Sequence, residues 1–179
     1  DNQKKIELLV KEKLAVIEVS KKFEEQRKEA LVKILEINLK ILELSTQRST
    51  IRKEILSDAV NIVNFLYKKH KLSPTYSRAQ LRLSAIYAFV GKNKEAVTAL
   101  GEASKYQNLT KDETILGVTI GIKIHFNLRN FKKVTSLVNK LKNLSASKIT
   151  PEINLTYARS LFKTRNYRKA LKIIQDVIN

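Results

Sequence analysis

The 179-residue chain contains no cysteine, which excludes disulfides, thiolate metal sites and cysteine nucleophiles and leaves the redox compartment open. It contains no methionine either, not even at position 1. That absence leads to the expectation of a processed or truncated product, with a mature exported protein of a bacterial cell envelope or periplasm preferred over a cytoplasmic one. Glycine fills four positions and proline two, so there are few points at which a helix must break. No stretch approaches the roughly 18 apolar residues of a membrane span, and no transmembrane segment is expected. Histidine occurs only at His70 and His125.

Hydrophobic residues, in contrast, make up 43% of the chain, enough for a sizeable core in a nearly all-helical protein. The formal charge is +18 and unevenly spread. Residues 1–72 hold 16 Lys/Arg against 11 Asp/Glu, whereas residues 73–179 hold 19 against six. A positive field of that kind attracts nucleic acid, anionic lipid or an acidic protein partner; a Lys-rich codon bias with solubility as its only consequence would give the same composition.

From Gln3 to about Leu44 strong helix formers run without Gly or Pro. Leu9, Val16, Phe23, Ala30, Ile37, Leu44 and Ile51 recur every seven residues, the spacing of one apolar seam. The companion positions Lys13, Ser20 and Arg27 are polar. Residues 1–48 are therefore read as one long helix, or as two with a break near Ser20. The apolar-free run from Ser45 to Thr50 marks a turn, and residues 49–72 a capping helix. Ser73-Pro74 then opens a helical array over 74–179.

Three hairpins are expected there, at 74–106, 110–143 and 150–179. Thr110 to Glu113 has the form of a capping box, and Thr150-Pro151 repeats the cap-then-proline start. Ala96, Val134 and Ala170 open the second helices at intervals of 38 and 36 residues. Behind them Leu100/Ala103, Val138/Leu141 and Ile174/Val177 repeat one face; ahead of them Ser84/Tyr87, Ile122/His125 and Ala158/Leu161 repeat another.

With Leu83, Ser84, Tyr87, Gly91, Ala96, Leu100 and Ala103 in place, the first hairpin resembles the tetratricopeptide repeat (TPR) family, whose units are helix-turn-helix pairs of 34 residues. Gln80 stands where that family has Trp, and Asn108 where it has Pro. The third hairpin keeps Ala158, Tyr167 and Ala170; the second keeps little beyond Phe131 and the spacing. The resemblance covers about residues 74–179. It implies an all-α, TPR-like α-solenoid of three hairpins, preceded by the long N-terminal helix and the capping helix, and needing caps at both ends.

It also implies a groove lined by the first helix of each hairpin. By repeat register that lining is Arg78, Arg82, Ala85 and Phe89, then Lys123, Phe126 and Asn127, then Arg159, Phe162 and Lys163. Cations with one aromatic per hairpin suit an acidic or amphipathic segment of a partner protein, although periodic aromatics also serve as core. The set with which some family members hold a C-terminal carboxylate maps to Leu81, Ala85, Ile120, Glu152 and Thr156, which lack the donors.

Catalysis finds no constellation of residues to support it. His125 stands where Tyr87 stands in the first hairpin and is read as packed. The carboxylates form no evident acid/base pair, and Gly117 and Gly121, four apart on a helix, suit close packing. Asn108, Asn143 and Asn154 begin glycosylation-acceptor triplets of the kind an Asn-rich chain carries by chance. The reading is a non-enzymatic protein-interaction scaffold without cofactor or metal. The alternative is a nucleic-acid-binding helical repeat that uses the same basic surface.

Overall fold

The computed structural model describes residues 2–22, 24–45, 49–71, 73–105 and 109–178. Nearly all of these are helical, and none is in a strand. The chain forms two compact units, residues 1–109 and 110–179. The boundary read from the sequence lay instead near residue 48. The difference arises because the helix that ends at Leu44 supplies much of the core beneath the helices after it.

The first unit contains α1 (Asn2–Lys22), α2 (Glu24–Leu44), α3 (Ser49–His70), α4 (Pro74–Phe89) and α5 (Asn93–Ser104). Two helices that pack on each other, α1 and α2, thus stand in the segment read as one long helix or two. Phe23 between them, and the proposed turn residues Thr46 to Arg48, lie outside the described residues. Helix α2 lies against α1, α3 and α4, while α4 lies against α3 and α5. Leu35 and Leu42, two turns apart on one face of α2, are fully buried together with Ala59 and Leu66 of α3 and Ala79 and Ile86 of α4.

Helix α1 is attached more loosely. Leu8 and Leu14 are 68% and 60% exposed, and Ile6, Leu9 and Val16 only partly enter the core. Its ion pairs, Lys13 with Asp58 at 2.8 Å and Glu12 with Lys33 at 3.6 Å, involve exposed carboxylates. Pairs of that kind contribute only about 0–1 kcal/mol each. Helix α4 starts as its sequence dictates: Ser73 Oγ accepts from the Tyr76 amide at 3.2 Å, and Pro74 follows at the first helical position, where no amide is required.

The second unit contains α6 (Lys111–Asn127), α7 (Phe131–Leu144), a 3-10 turn (Ala146–Lys148), α8 (Pro151–Lys163) and α9 (Tyr167–Ile178). Helices α6 and α7 form one hairpin and α8 and α9 another; α8 packs on α7 and touches α6. The capping box is formed, with the Glu113 amide donating to Thr110 Oγ1 at 3.3 Å and the Thr110 amide to Glu113 Oε2 at 2.8 Å. Val134, Val138, Leu141, Tyr157, Leu161 and Ala170 form the core, none more than 3% exposed.

The turns of three hairpins share one backbone geometry. Gly91, Arg129 and Arg165 all have positive φ, at 83°, 57° and 64°. In each turn the next amide donates five residues back: Lys92 to the Tyr87 carbonyl, Asn130 to His125 and Asn166 to Leu161, at 2.8–2.9 Å. The positive-φ residue donates three back, to Ala88, Phe126 and Phe162. This is the Schellman closure of a helix C-terminus, and it places Ala96, Val134 and Ala170 at equivalent, fully covered sites on the second helices.

An L-residue in the left-handed region costs about 1–2 kcal/mol, and glycine avoids most of that cost. Arg165→Gly is therefore expected to stabilise the second unit by up to about 1 kcal/mol, the gain being reduced by loss of a cation near the α8 C-terminus and by the freer unfolded chain. Thermal melts should show a rise of a few degrees for Arg165→Gly and a fall for Gly91→Ala. Opposite signs would contradict the assignment of strain to these turns.

Candidate partner-binding surfaces

The expected groove residues of the first unit are engaged within the chain. Arg78 pairs with Glu29, whose Oε1 also accepts from Thr75 Oγ1 at 3.2 Å. Arg82 reaches Glu36 Oε1 through both Nη2 at 2.7 Å and Nε at 3.2 Å. Glu29 and Glu36 sit on α2, and the order of the pairs shows that α2 and α4 run parallel. Ala85 is half-buried, and so is Phe89, which packs against the first core. Four of the expected lining positions thus lie beside α2 or in the core margin.

In the second unit the placement is mixed. Phe126 is half-buried and edge-on to Phe131 at 5.9 Å, against the core. Lys123 and Asn127 are exposed on α6. Arg159, Phe162 and Lys163 are all exposed on α8, Phe162 at 59%, and Phe162 meets Tyr167 edge-on at 5.1 Å. Leu155, 41% exposed, stands one turn before Arg159, so that Leu155, Arg159 and Phe162 form one line along the outer face of α8. The sequence reading missed Leu155; its i, i+4, i+7 relation to Phe162 was the available signal.

A second exposed apolar line runs along α9. Tyr167, Leu171, Ile174 and Ile178 are between 38% and 78% exposed, while Ala170 on the neighbouring face is buried. Ile174, expected to repeat the buried role of Val138, is 38% exposed. The reason is positional: α7 is covered by α8, whereas among the described residues α9 packs on α8 alone. An open depression of about 850 Å³ follows this side of α9, with Arg168, Leu171, Lys172 and Ile178 in its lining.

The second unit is strongly basic. Residues 110–179 hold 14 Lys/Arg against four Asp/Glu, a formal +10. His125 does not add to this field, because burial and then the nearby Lys133 cation push its pKa below the ordinary histidine value. Its counterpart Tyr87 is shifted upward by burial and then by Glu95. Both shifts favour the neutral forms, as packing side chains at a hairpin interior require.

Among the described residues no three of His, Asp and Glu gather in a way that would hold a metal ion, and no helix is long and apolar enough to cross a membrane. Gly117 and Gly121 lie within α6, Gly121 buried. No protein-family model, no curated protein and no solved structure matches the chain.

Proposed function

We propose that this chain is a non-enzymatic interaction module, a TPR-like helical array that binds an acidic or amphipathic segment of a partner protein. The observation that carries the reading is the outer face of α8, where Arg159 and Lys163 flank Phe162, all three exposed. Large aromatics in partly desolvated settings contribute most of the affinity in such interfaces, and cations around them steer acidic partners. The shared turn geometry at Gly91, Arg129 and Arg165 supports the repeat reading.

Because Arg78 and Arg82 are held by α2, the contact surface is assigned to the α8 line of the second unit. A photo-crosslinking amino acid at Phe162, introduced into the protein in the cells that produce it, tests the assignment. Crosslinks to one partner protein are expected, and they should vanish in the Arg159→Glu/Lys163→Glu variant. A partner captured equally by that variant would remove α8 as its site.

The +10 charge over residues 110–179 favours nucleic-acid binding as the second reading. It requires affinity for generic RNA or DNA that declines steeply with salt, and absence of binding at about 50 mM salt would eliminate it.

A further inference from the structure

We infer that α1 is an exchangeable helix, and that the chain forms a dimer in which the α1 of each copy takes the seat of α1 on the other. What occupies that seat is shown by the fold: it is α1 itself, packed on α2 and joined to α3 by the pair of Lys13 with Asp58. The pair of Glu12 with Lys33 links residues that stand 11 before and 10 after Phe23, so α1 runs back antiparallel along α2. A second copy offers an identical seat, and each contact that α1 makes with its own unit is remade there; only the junction between α1 and α2 changes.

This junction differs from the other hairpin turns of the chain. Those at Gly91, Arg129 and Arg165 use a residue of positive φ with an asparagine one or two positions on. From Gln3 to Ile37 there is no Gly, Pro, Asn or Asp at all, so nothing in the sequence calls for a turn. Helix α1 ends at Lys22 and α2 starts at Glu24, one residue apart, whereas connections between packed helices take about 2–8 residues. Strong helix formers and the apolar seam of Leu9, Val16, Ala30 and Ile37 continue across the junction in one register. A helix break leaves four amides and four carbonyls without partners inside the helix. One helix from Asn2 to Leu44, about 65 Å long, restores those bonds.

Release of α1 also exposes little. None of its described residues is fully buried, and Ile6, Leu9 and Val16 reach the first core only in part. The centre of that core, Leu35 and Leu42 with Ala59, Leu66, Ala79 and Ile86, is made by α2, α3 and α4. A short connection to a loosely seated element favours exchange over closure.

Because the chain has no cysteine, Glu12→Cys and Lys33→Cys proteins each carry a single thiol. The two full-length proteins are mixed in guanidinium, refolded together and treated with a short bismaleimide. Covalent dimers joining position 12 of one chain to position 33 of the other are expected. Either protein alone should give at least about tenfold fewer, since like positions in the exchanged dimer stand about 30 Å apart along the helices. Light scattering of the wild type, refolded in the same way, should show a dimer whose share rises with concentration.

A flexible Gly/Ser insertion between Lys22 and Phe23 holds α1 near its own seat at a local concentration of the order of millimolar, so at micromolar protein this variant should contain at least about tenfold less dimer than the wild type. Leu171→Asp/Ile174→Asp, which charges the exposed line of α9, should leave the dimer unchanged. The inference is overturned by a wild type that stays monomeric at every concentration, or by a dimer without crosslinks between positions 12 and 33. It is equally overturned if the inserted variant dimerises as well as the wild type, or if charging α9 abolishes the dimer. None of these outcomes bears on the Phe162 crosslinks, which test the α8 surface separately.

Discussion

Deletion of residues 1–48 is expected to abolish the cooperative unfolding of the first unit. Helix α2 places Val32, Leu35, Ile37, Ile41 and Leu42 in the core, none more than 5% exposed. Full burial of such a side chain is worth about 1.5–3 kcal/mol, so five of them together are worth about as much as the whole net stability of a domain, about 5–15 kcal/mol. Loss of Glu29 and Glu36 also leaves Arg82 part-buried without its carboxylate. Hydrogen exchange should show α3, α4 and α5 losing protection. Retained slow exchange at Leu83 and Ile86 would show that α4 and α5 stand without α2. A single substitution gives the graded version, Leu35→Ala costing about 2–5 kcal/mol.

The second large effect is expected at Tyr157. The residue is 1% exposed, its ring centroid lies 4.9 Å from the ammonium group of Lys142 and 5.6 Å from that of Lys169, and its hydroxyl joins α8 to α7 through Asn139. Truncating a buried aromatic to alanine costs about 3–5 kcal/mol. A unit of this size has a small core and correspondingly little stability in reserve. Tyr157→Ala should therefore unfold residues 110–179 at temperatures where the wild type is folded, whereas Tyr157→Phe should lose only about 0.5–1.5 kcal/mol, the worth of one hydrogen bond. Denaturant titrations of both variants measure the difference. An alanine variant as stable as the phenylalanine one would mean that the ring is not what holds the hairpins together.

What was legible in the sequence was short in range. The caps at Ser73, Thr110 and Thr150 involve partners three residues away, and their residue types announce them. The all-helical class followed from the scarcity of breakers. The division between α1 and α2 was legible only as one of two readings: the polar positions Lys13, Ser20 and Arg27 pointed to a break near Ser20, but the seven-residue seam from Leu9 to Ile51 runs through Phe23 and did not decide for it. Nor were the partners of Arg78 and Arg82, which lie 49 and 46 residues back on α2 and have no local signature. On α9 the register aligned Ile174 with Val138, yet alignment cannot tell whether a neighbour covers the site. The α8 surface was partly legible: Arg159, Phe162 and Lys163 came from the repeat register, and Leu155 from the same line was overlooked.

The pairing of α2 with α4 has a consequence in time. A ribosome adding about 5–20 residues per second needs roughly 2–9 s to synthesise the 46 residues that separate Glu36 from Arg82. Throughout that interval Leu35 and Leu42 have no α4 to cover them, whereas each hairpin of the second unit closes on residues made moments before. The nascent first unit therefore leaves part of its apolar surface uncovered for longer than a hairpin of the second unit does, and a slowing of translation after α2 would lengthen that exposure.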